Sequence, residues 1–400
     1  MKAVILAAGE GSRMRPLTFH RPKVMLPVAG KPILEHLLLE AKQAGITHFI
    51  LVVGYHDEQI RSYFGNGDKW EVKIEYATQR KQMGTADALR SVMATGSENF
   101  LMMNGDVIVS HSDISSLARK KHNTMTLFEV VNPMGLGVVT VEGARVSRIY
   151  EKVSKPPSNL ANAGLYLFNP EIFGAIAKTP RSPRGEYEIT DSIQLIIDSG
   201  IPVNYRIIKK WLDVSYPWDL LAASEALISS LKPERLGDIE ANVTIKEPVS
   251  IGKGTVVKSG AYIVGPVIIG ENCEIGPNCY IRPATTIGNN CHVGAACEVK
   301  NSIIMNRSTV PHLNYVGDSV IGEDCNFGAG TKIANLRLDK KEITVAGVST
   351  GRRKLGAIIG DGVQTGINAC INVGSVIGNN TFIGPGAVAS GVIAPGSRIF

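Results

Sequence analysis

The sequence predicts an α/β protein in two parts: a Rossmann-like, mostly parallel sheet with helices on both faces, followed by a parallel β-helix. Three observations lead to this prediction. The length of 400 residues exceeds that of a typical single domain with one hydrophobic core. The first part of the chain, to about residue 230, alternates short apolar runs with amphipathic segments, as strands joined by helices do. From Ile245 onward a six-residue repeat replaces that alternation.

The N-terminal alternation begins with a buried strand over residues 3–6, which leads directly into a glycine-rich loop. An amphipathic helix over residues 33–44 and a second buried strand over residues 49–53 follow. Further elements are predicted over residues 58–64 (helix), 73–76 (strand), 85–95 (helix), 100–103 (strand) and 218–231 (helix). Ligands of such sheets bind beyond the carboxyl ends of the strands, so we expect a site where the glycine-rich loop and Asp106 lie.

The C-terminal repeat opens each unit with an aliphatic residue, usually followed by glycine or a small polar residue. Clear units begin at Ile251, Ile269, Ile287, Ile377 and Ile383. Each unit is interpreted as a short strand plus a turn, and three units make one triangular coil whose axis the aliphatic residues fill. The pattern resembles the left-handed hexapeptide-repeat β-helix.

Most of the cysteines share one phase of this repeat with threonine, alanine and serine. Because that position accepts small residues of any chemistry, packing explains the cysteines better than disulfides or a metal site. We expect Cys273 to stack beneath Cys291, and Cys279 beneath Cys297, at the spacing of neighbouring strands.

Two stretches break the repeat. Residues 301–316 shift its phase, and residues 336–356 form a longer, charged excursion. We expect both to be surface loops, where the function of a repeat protein tends to lie. The predicted domains are residues 1–230, a linker over residues 231–243, and the β-helix over residues 244–400.

Composition and charge narrow the classes of function. The net charge of +6 is modest, and no long run of lysine or arginine predicts a nucleic-acid groove. No stretch approaches the ~18 consecutive apolar residues of a membrane span, and the N-terminus lacks the pattern of a signal peptide. We expect a cytoplasmic protein that acts on anionic small molecules and binds neither nucleic acid nor membrane.

The glycine-rich loop over residues 9–13 has the chemistry of a phosphate cradle. Its glycines let backbone N–H groups approach phosphate oxygens, and Arg13 and Lys23 bring positive charge. The spacing is neither the dinucleotide fingerprint nor a P-loop, and such a loop alone is often only a tight turn. The longer string over residues 6–18, with Pro22-Lys23 beyond it, resembles the sugar-1-phosphate nucleotidylyltransferase family. Matching motifs run to about residue 220.

This resemblance implies transfer of a nucleotidyl group from UTP or dTTP to a sugar 1-phosphate, with release of pyrophosphate. Arg13 and Lys23 would stabilise the departing pyrophosphate, and Asp106 and Asp213 would bind Mg²⁺. The implied nucleotide-binding residues are Leu6, Ala8, Gly9, Gly11, Gln79, Gly84 and Thr85. The implied sugar-phosphate contacts are Gly137, Glu151, Lys152 and Asn162.

The phase-shifted stretch contains residues 311–318, which resemble the acetyltransferase segment of archaeal-type bifunctional enzymes that make UDP-N-acetylglucosamine. The resemblance implies that His312 is the general base, taking a proton from the substrate amine as the amine attacks acetyl-CoA. The implied sugar-phosphate contacts here are Arg282, Lys300, Tyr315 and Asn326. The implied acetyl-CoA contacts are Ala329, Asn335, Lys341, Arg352, Arg353 and Lys354.

β-Helices of this family form trimers with the acyl site between subunits, so the resemblance also implies a homotrimer. Two other interpretations stay open. The first is a single-function nucleotidylyltransferase for glucose or mannose 1-phosphate on a structural β-helix, which would leave His312 without a purpose. The second is a regulatory or scaffold protein that senses a sugar nucleotide and would not need the metal pair Asp106 and Asp213. The choice between UTP and dTTP, and among amino-sugar phosphates, also stays open.

Overall fold

A computed structural model of the chain describes residues 1–93 and 98–400. The described residues group into two compact units. The first unit comprises Met1–Glu10, His20–Met25 and Ile33–Asp213. The second unit comprises Gly11–Phe19, Leu26–Pro32 and Val214–Phe400.

The α-helices of the described residues, and the strands within residues 1–213, have the following bounds. The strands are β1 (Lys2–Ala7), β2 (Pro27–Val28), β3 (Lys31–Pro32), β4 (His48–Val53), β5 (Lys73–Thr78), β6 (Phe100–Asn104), β7 (Val107–Val109), β8 (Thr124–Glu129), β9 (Gly137–Glu142), β10 (Arg145–Glu151), β11 (Leu160–Phe168), β12 (Asn204–Ile207) and β13 (Trp211–Asp213). The helices are α1 (Ile33–Gln43), α2 (Asp57–Phe64), α3 (Thr85–Arg90), α4 (His111–Ala118), α5 (Ile172–Lys178), α6 (Ile189–Asp198) and α7 (Asp219–Ile228). The helix predicted over residues 85–95 ends earlier, at Arg90, and its last predicted residues from 94 lie outside the described residues.

The main sheet of the first unit has the strand order β5-β4-β1-β6-β11-β8-β12-β10-β9. Its first half is parallel, because β4 pairs in parallel with β1 and with β5, and β1 pairs in parallel with β6. Beyond β6 the sheet is mixed, since β11 is antiparallel to both β6 and β8. The carboxyl ends of β1, β4 and β6 therefore share one edge, as the alternation of strands and helices predicted.

Both faces of this sheet are covered by helices. Side chains of successive residues point to opposite faces of a strand, and β1 shows this directly. Ile5 packs in a core with Leu34 of α1 and Ile114 of α4. Val4 packs in a separate core with Ile193 of α6. The predicted fold class of the N-terminal part is confirmed. No helix in the described part of the chain has the length and apolar character needed to cross a membrane.

The second unit contains a three-faced parallel β-helix. The strands of its first face are Asp238–Ile239, Val256–Val257, Glu274–Ile275, His292–Ala295, Thr309–His312, Asn326–Phe327, Gln364–Thr365, Phe382–Ile383 and Arg398–Ile399. Those of its second face are Thr244–Lys246, Tyr262–Val264, Tyr280–Ile281, Glu298–Lys300, Tyr315–Gly317, Lys332–Ile333, Cys370–Ile371 and Val388–Ala389. Those of its third face are Val249–Ile251, Val267–Ile269, Thr285–Ile287, Ile303–Ile304, Val320–Ile321, Ala357–Ile359, Ser375–Ile377 and Val392–Ile393. The first strand of the first face already lies within the segment that the sequence assigned to a linker.

The core of the β-helix is a ladder of aliphatic side chains with small residues between them. Cys273 and Cys291 are both nearly fully buried and lie on adjacent coils, as do Cys279 and Cys297. The cysteines at described positions are free thiols, and Cys370, which falls outside the shared phase, is exposed. The predicted stacking is confirmed, and packing accounts for it.

Residues 301–316 are not a surface loop, so that expectation is wrong. They contribute the strands Ile303–Ile304 and Thr309–His312 to the coil. The phase shift arises because Thr286 pairs with Ile303, 17 residues later, whereas Ile268 pairs with Thr286, 18 residues later. Losing one residue per coil changes the sequence phase while the strand stays in its sheet.

Residues 336–356 do leave the coil. They contain an antiparallel hairpin of Thr344–Val345 and Val348–Ser349. The third face continues across them, with Ile321 pairing directly with Ile359. The excursion is therefore an insertion within one coil, between its second-face strand Lys332–Ile333 and its third-face strand Ala357–Ile359.

Candidate active sites

The first unit brings Lys23 and Asp106 into direct contact at the carboxyl edge of its sheet. The Lys23 ammonium lies 2.6 Å from Asp106 Oδ2, although 83 residues separate them in sequence. Gly105 makes this approach possible, because its N–H donates to Leu6 O at 2.9 Å and a Cβ there would lie 2.6 Å from the same oxygen. Any larger residue would push Asp106 away from the end of β1.

Asp213 reaches the same region through a short antiparallel pairing. Strand β13 pairs with β7 so that Asp213 stands opposite Val107, the residue after Asp106. The Trp211 indole donates to Ala163 O at 3.0 Å and so anchors β13 to the main sheet. A carboxylate in the turn before β7 and another at the end of β13, which pairs with β7, fit Mg²⁺, which commonly takes one or two carboxylates and fills its other positions with substrate phosphate and water.

The start of the glycine-rich loop is packed on one side and open on the other. Leu6, the next-to-last residue of β1, accepts from the N–H of Gly105, and Ala8 O accepts from the N–H of Tyr55 at 3.2 Å. A Cβ on Gly9 would meet nothing within 4 Å. The chain thus leaves space next to Gly9, which the predicted nucleotide could use.

The predicted base-recognition segment is held together by Gln79. The buried Gln79 amide donates to Gly84 O at 3.0 Å and to Asp87 Oδ2 at 2.8 Å. Gly84 has a φ of +107°, and a Cβ there would lie 2.4 Å from Tyr187 O. The Thr85 hydroxyl accepts from the N–H of Ile189, so it fastens α3 to α6. Gln79 is therefore fixed in one orientation before any nucleotide binds.

The predicted sugar contacts Gly137, Glu151 and Lys152 also lie together. Gly137 pairs with Glu151 across β9 and β10, and a Cβ on Gly137 would lie 2.7 Å from Glu151 Oε2. Burial raises the pKa of the Glu151 carboxyl above its usual value. The Lys152 ammonium is 3.9 Å from Glu151 Oε1, and its backbone is in the left-handed region at φ +51°. A left-handed lysine at a turn is the kind of local strain that functional sites retain.

Arg184 is a neighbour of this carboxylate that the sequence analysis did not identify. Its Nη2 lies 3.2 Å from Glu151 Oε1 and 2.6 Å from Glu188 Oε1. Burial also raises the pKa of Asp191 nearby. The remaining predicted contact, Asn162, is paired with the Tyr166 hydroxyl and accepts from the N–H of Gly164 at 3.2 Å.

Gly11 and Arg13 belong to the second unit. Gly11 has a φ of +67° and precedes a 3-10 helix over Ser12–Met14. The Thr18 hydroxyl donates to Gly11 O at 2.9 Å and so closes the turn. The exposed Arg13 guanidinium lies over the ring of Tyr216, 5.4 Å from its centroid.

His312 is exposed at the end of its first-face strand, where the coil turns toward the second face. Its backbone carbonyl accepts from the N–H of Gly330 at 2.9 Å, so the residue is tied to the next coil. Ala329 lies beside Gly330 and accepts from the N–H of Asn368. Asn326 lies on the first face, where its Oδ1 accepts from the Thr309 hydroxyl at 2.7 Å.

Lys300, Tyr315 and Asn335 meet at the opposite corner, between the second and third faces. The Asn335 amide donates to the Tyr315 hydroxyl at 3.1 Å and to Asp318 Oδ2 at 2.5 Å. The Lys300 ammonium donates to the same Asp318 oxygen at 3.0 Å. Arg282, on a neighbouring coil, pairs with Glu298 at 2.7 Å. Asp318 stood in the motif, but the sequence offered no sign that it would be the centre of this group.

The predicted acetyl-CoA contacts of the excursion are spread out. Arg352 donates to Glu225 of α7 at 2.6 Å, and Arg353 donates to Lys340 O at 3.1 Å. Lys354 forms a single backbone bridge with Leu336, and the N–H of Lys341 donates to Asp339. The two arginines thus fasten the excursion, and a CoA phosphate would have to compete with those contacts.

Comparison with known proteins finds relatives of both parts of the chain. The nucleotidyl transferase family model matches residues 2–230, and the GMPPB C-terminal domain model matches residues 263–373. The bifunctional protein GlmU of Methanocaldococcus jannaschii is 41% identical over 389 residues, covering 96% of this chain and 93% of that protein. The bifunctional sugar-1-phosphate nucleotidylyltransferase/acetyltransferase of Sulfurisphaera tokodaii is 41% identical over 398 residues, covering 98% and 97%. A solved structure described as a glucose-1-phosphate thymidylyltransferase from Bacillus anthracis is 30% identical with a TM-score of 0.53, covering 58% of this chain and 97% of that one.

The chain belongs to the nucleotidyl transferase family, and within it to the group of bifunctional sugar-1-phosphate nucleotidylyltransferase/acetyltransferases. It is therefore a transferase with a nucleotidyltransferase part and an acetyltransferase part, and its substrates are small molecules.

Proposed function

We propose that this enzyme acetylates glucosamine 1-phosphate with acetyl-CoA and then joins the product to a uridylyl group from UTP, giving UDP-N-acetylglucosamine. The observation that carries this proposal is the corner at which Lys300, Tyr315 and Asn335 meet. A cation, a hydroxyl and an amide close together suit a phosphorylated sugar. Tyr315 begins the second-face strand that follows the exposed His312 in the chain.

In the acetyl-transfer step the sugar amine attacks the thioester carbonyl of acetyl-CoA. A C–N bond forms, the C–S bond breaks, and CoA leaves as a thiolate. His312 takes the proton from the amine nitrogen and returns it to the departing sulfur, so the imidazole is neutral again at the end. Lys300 and Arg282 bind the phosphate of the sugar, and Tyr315, Asn326 and Asn335 orient the sugar and the thioester.

Acetyl-CoA is proposed to contact Ala329, Asn335 and Lys341, with Arg352, Arg353 and Lys354 near its phosphates. Arg352 already donates to the Glu225 carboxylate, and Arg353 donates to the backbone carbonyl of Lys340. On CoA binding, each arginine would exchange that partner for a phosphate of CoA.

In the nucleotidyl-transfer step an oxygen of the sugar phosphate attacks the α-phosphorus of the triphosphate, and pyrophosphate leaves. Catalysis of this kind depends mainly on positioning and on neutralising charge. Arg13 and Lys23 stabilise the leaving pyrophosphate, while Glu151 and Lys152 hold the sugar hydroxyls and phosphate. Mg²⁺ held by Asp106 and Asp213 would neutralise phosphate charge at this site.

The base of the nucleotide is proposed to meet Gln79. Because both amide hydrogens of Gln79 are directed at Gly84 and Asp87, its Oε1 can accept from the imide N–H of a pyrimidine. Uracil and thymine share that N–H, so dTTP is a second substrate of the same site. Residues 1–230 and 244–400 are proposed to be the two catalytic domains of a cytoplasmic enzyme.

The proposal includes a homotrimer. Large apolar side chains are exposed on the second face and at its edge, among them Tyr280 at 38%, Leu313 at 59% and Val388 at 65%. Apolar surface of this kind often marks a subunit interface. Light scattering should give three times the mass of one chain, and a monomer would contradict an acyl site shared between subunits.

The acetyl-transfer proposal is tested by mass spectrometry of glucosamine 1-phosphate incubated with acetyl-CoA. We expect an N-acetylated product from the parent and almost none from His312→Ala. His292→Ala is the matched control, because His292 lies on the same face one coil away and pairs with Glu274. No product from the parent, with galactosamine 1-phosphate also offered, would contradict the proposal.

A further inference from the structure

Asp318 is the buried centre of the corner that the proposed acetyl-transfer site uses. It is only 3% exposed, and its backbone lies in the left-handed region at φ +50°. Aspartate and asparagine tolerate this conformation better than most residues, which suits a sharp turn between two faces. A turn alone does not require a carboxylate to be buried.

A buried carboxylate is costly unless several donors surround it, and Asp318 has three. Its Oδ2 accepts from Lys300 Nζ at 3.0 Å and from Asn335 Nδ2 at 2.5 Å, and its Oδ1 accepts from Asn301 Nδ2 at 2.8 Å. Two of these donors are residues to which we assign substrate contacts. The carboxylate therefore lies behind the groups that would meet the sugar phosphate.

The surrounding chain is shaped to keep this arrangement. A Cβ on Gly317 would lie 2.6 Å from Asn335 Nδ2 and 2.8 Å from the Tyr315 hydroxyl, so only glycine leaves room for that pair. The backbone carbonyl of Asp318 accepts from the N–H of Gly356, where the excursion rejoins the coil. The same Asn301 nitrogen also donates to Glu225 Oε1 at 2.9 Å, and Glu225 accepts from Arg352.

From this geometry we propose that Asp318 is a positioning residue for acetyl transfer, which fixes the Lys300 ammonium and the Asn335 amide in the orientation that receives the amino-sugar phosphate. The inference rests on the proposed function. Asp318 itself does not contact the phosphate, because two anions would repel each other. It acts through Lys300 and Asn335, whose long or rotatable side chains would otherwise sample several orientations.

The test is a kinetic comparison of Asp318→Asn with the parent in the acetyl-transfer assay. We expect kcat/KM for glucosamine 1-phosphate to fall about 10- to 100-fold, mostly through KM, since an ionic hydrogen-bond partner of the phosphate-binding cation is removed. Uridylyl transfer to N-acetylglucosamine 1-phosphate should stay within about twofold of the parent in the same preparation. Asp324→Asn is the matched control, because Asp324 also has a left-handed backbone, at φ +57°, and pairs with Arg307 of the same β-helix.

A double-mutant cycle separates positioning from a merely structural role. Because Asp318 acts through Lys300 and Asn335, adding Asp318→Asn to Lys300→Gln should lower kcat/KM only by the part that passes through Asn335, far less than the about 10- to 100-fold loss expected in the parent. Losses that multiply, or an Asp318→Asn variant with parental kinetics, would overturn the inference. If Asp318→Asn does not fold, the comparison of the double variant with Lys300→Gln tests the inference instead, because the double variant has no unpaired charge at this pair. A double variant that does not fold would also overturn the inference.

The proposed function fails in a different way. A parent that yields no acetylated product would remove both the function and the inference. A parent that is active, with Asp318→Asn equally active, would remove the inference alone.

Discussion

Single residues at both sites are fixed by contacts that sequence reasoning could not supply. The motifs predicted which residue types matter, such as Lys23, Asp106 and Lys300. They did not predict that Lys23 pairs with Asp106, or that Lys300 pairs with Asp318, because such pairs form only when distant strands are brought together. Arg184 and Glu225 were missed for the same reason, since an isolated charge in a sequence is usually a solvated one.

Gly84 should be sensitive to the smallest possible substitution. Gly84→Ala places a Cβ 2.4 Å from Tyr187 O in a backbone with φ +107°, so we expect both lost stability and a raised KM for the nucleotide. Gly185→Ala is the control, because φ is +80° there and nothing lies within 4 Å of the new Cβ. Thermal unfolding should show Gly185→Ala losing about 1 kcal/mol and Gly84→Ala clearly more. Equal losses would mean that crowding at Tyr187 is unimportant.

Asp106 should be required for nucleotidyl transfer but not for acetyl transfer, which we assign to the β-helix. Asp106→Asn removes a carboxylate proposed to bind Mg²⁺ and the partner of Lys23, so pyrophosphate release should fall roughly 100-fold or more. Acetyl transfer by the same preparation should be unchanged. Asp57→Asn, which breaks the half-buried helical pair with Arg61, serves as the control. Pyrophosphate release at the parental rate from Asp106→Asn would rule out its role.

Glu151 gives a prediction about the pH dependence of stability. Since burial raises the pKa of its carboxyl in the folded state, ionising it costs stability. That cost is absent below the ordinary carboxyl pKa and fully present above the raised one. Glu151→Gln should therefore raise the melting temperature relative to the parent more at about pH 7.5 than at about pH 4. A difference in the opposite direction would show that its pairing with Arg184 outweighs burial.

At the scale of elements, the sequence predicted positions well wherever a strand is a continuous apolar run. The strand predicted over residues 49–53 is His48–Val53, and that over residues 100–103 is Phe100–Asn104. The expected loop over residues 301–316 was wrong because a coil one residue shorter alters the repeat phase as much as a loop would. The strand pairings distinguish the two, because Thr286 pairs with Ile303 and His292 with Thr309, each 17 residues later.

The aliphatic ladder of the β-helix should carry its stability. Ile321 is fully buried in the coil that holds His312, so Ile321→Ala leaves a cavity that costs about 2–5 kcal/mol. Ile367→Ala, at a residue 57% exposed, should cost less than about 0.5 kcal/mol. The two variants are compared by the midpoint of denaturant-induced unfolding of the β-helix. Similar midpoints would contradict a core built on the ladder.

At the scale of the whole molecule, we propose that the two activities of the chain depend on two separate sets of residues. The sequence predicted both because each site includes an unbroken motif, residues 6–18 in one case and residues 311–318 in the other. It did not predict that Gly11–Phe19 and Leu26–Pro32 group with the C-terminal part of the chain, because that grouping depends on packing between segments almost 200 residues apart. Local sequence patterns therefore predicted the two activities better than they predicted how segments of the chain group into compact units.

The most direct measurement of the central claim is a mass-spectrometric time course with glucosamine 1-phosphate, acetyl-CoA, UTP and Mg²⁺. The parent should form UDP-N-acetylglucosamine, and Asp106→Asn should stop at N-acetylglucosamine 1-phosphate. His312→Ala should make no acetylated product from glucosamine 1-phosphate, yet should still use N-acetylglucosamine 1-phosphate when it is supplied. A parent that forms the sugar nucleotide only from supplied N-acetylglucosamine 1-phosphate would contradict the account and leave a nucleotidylyltransferase on a structural β-helix.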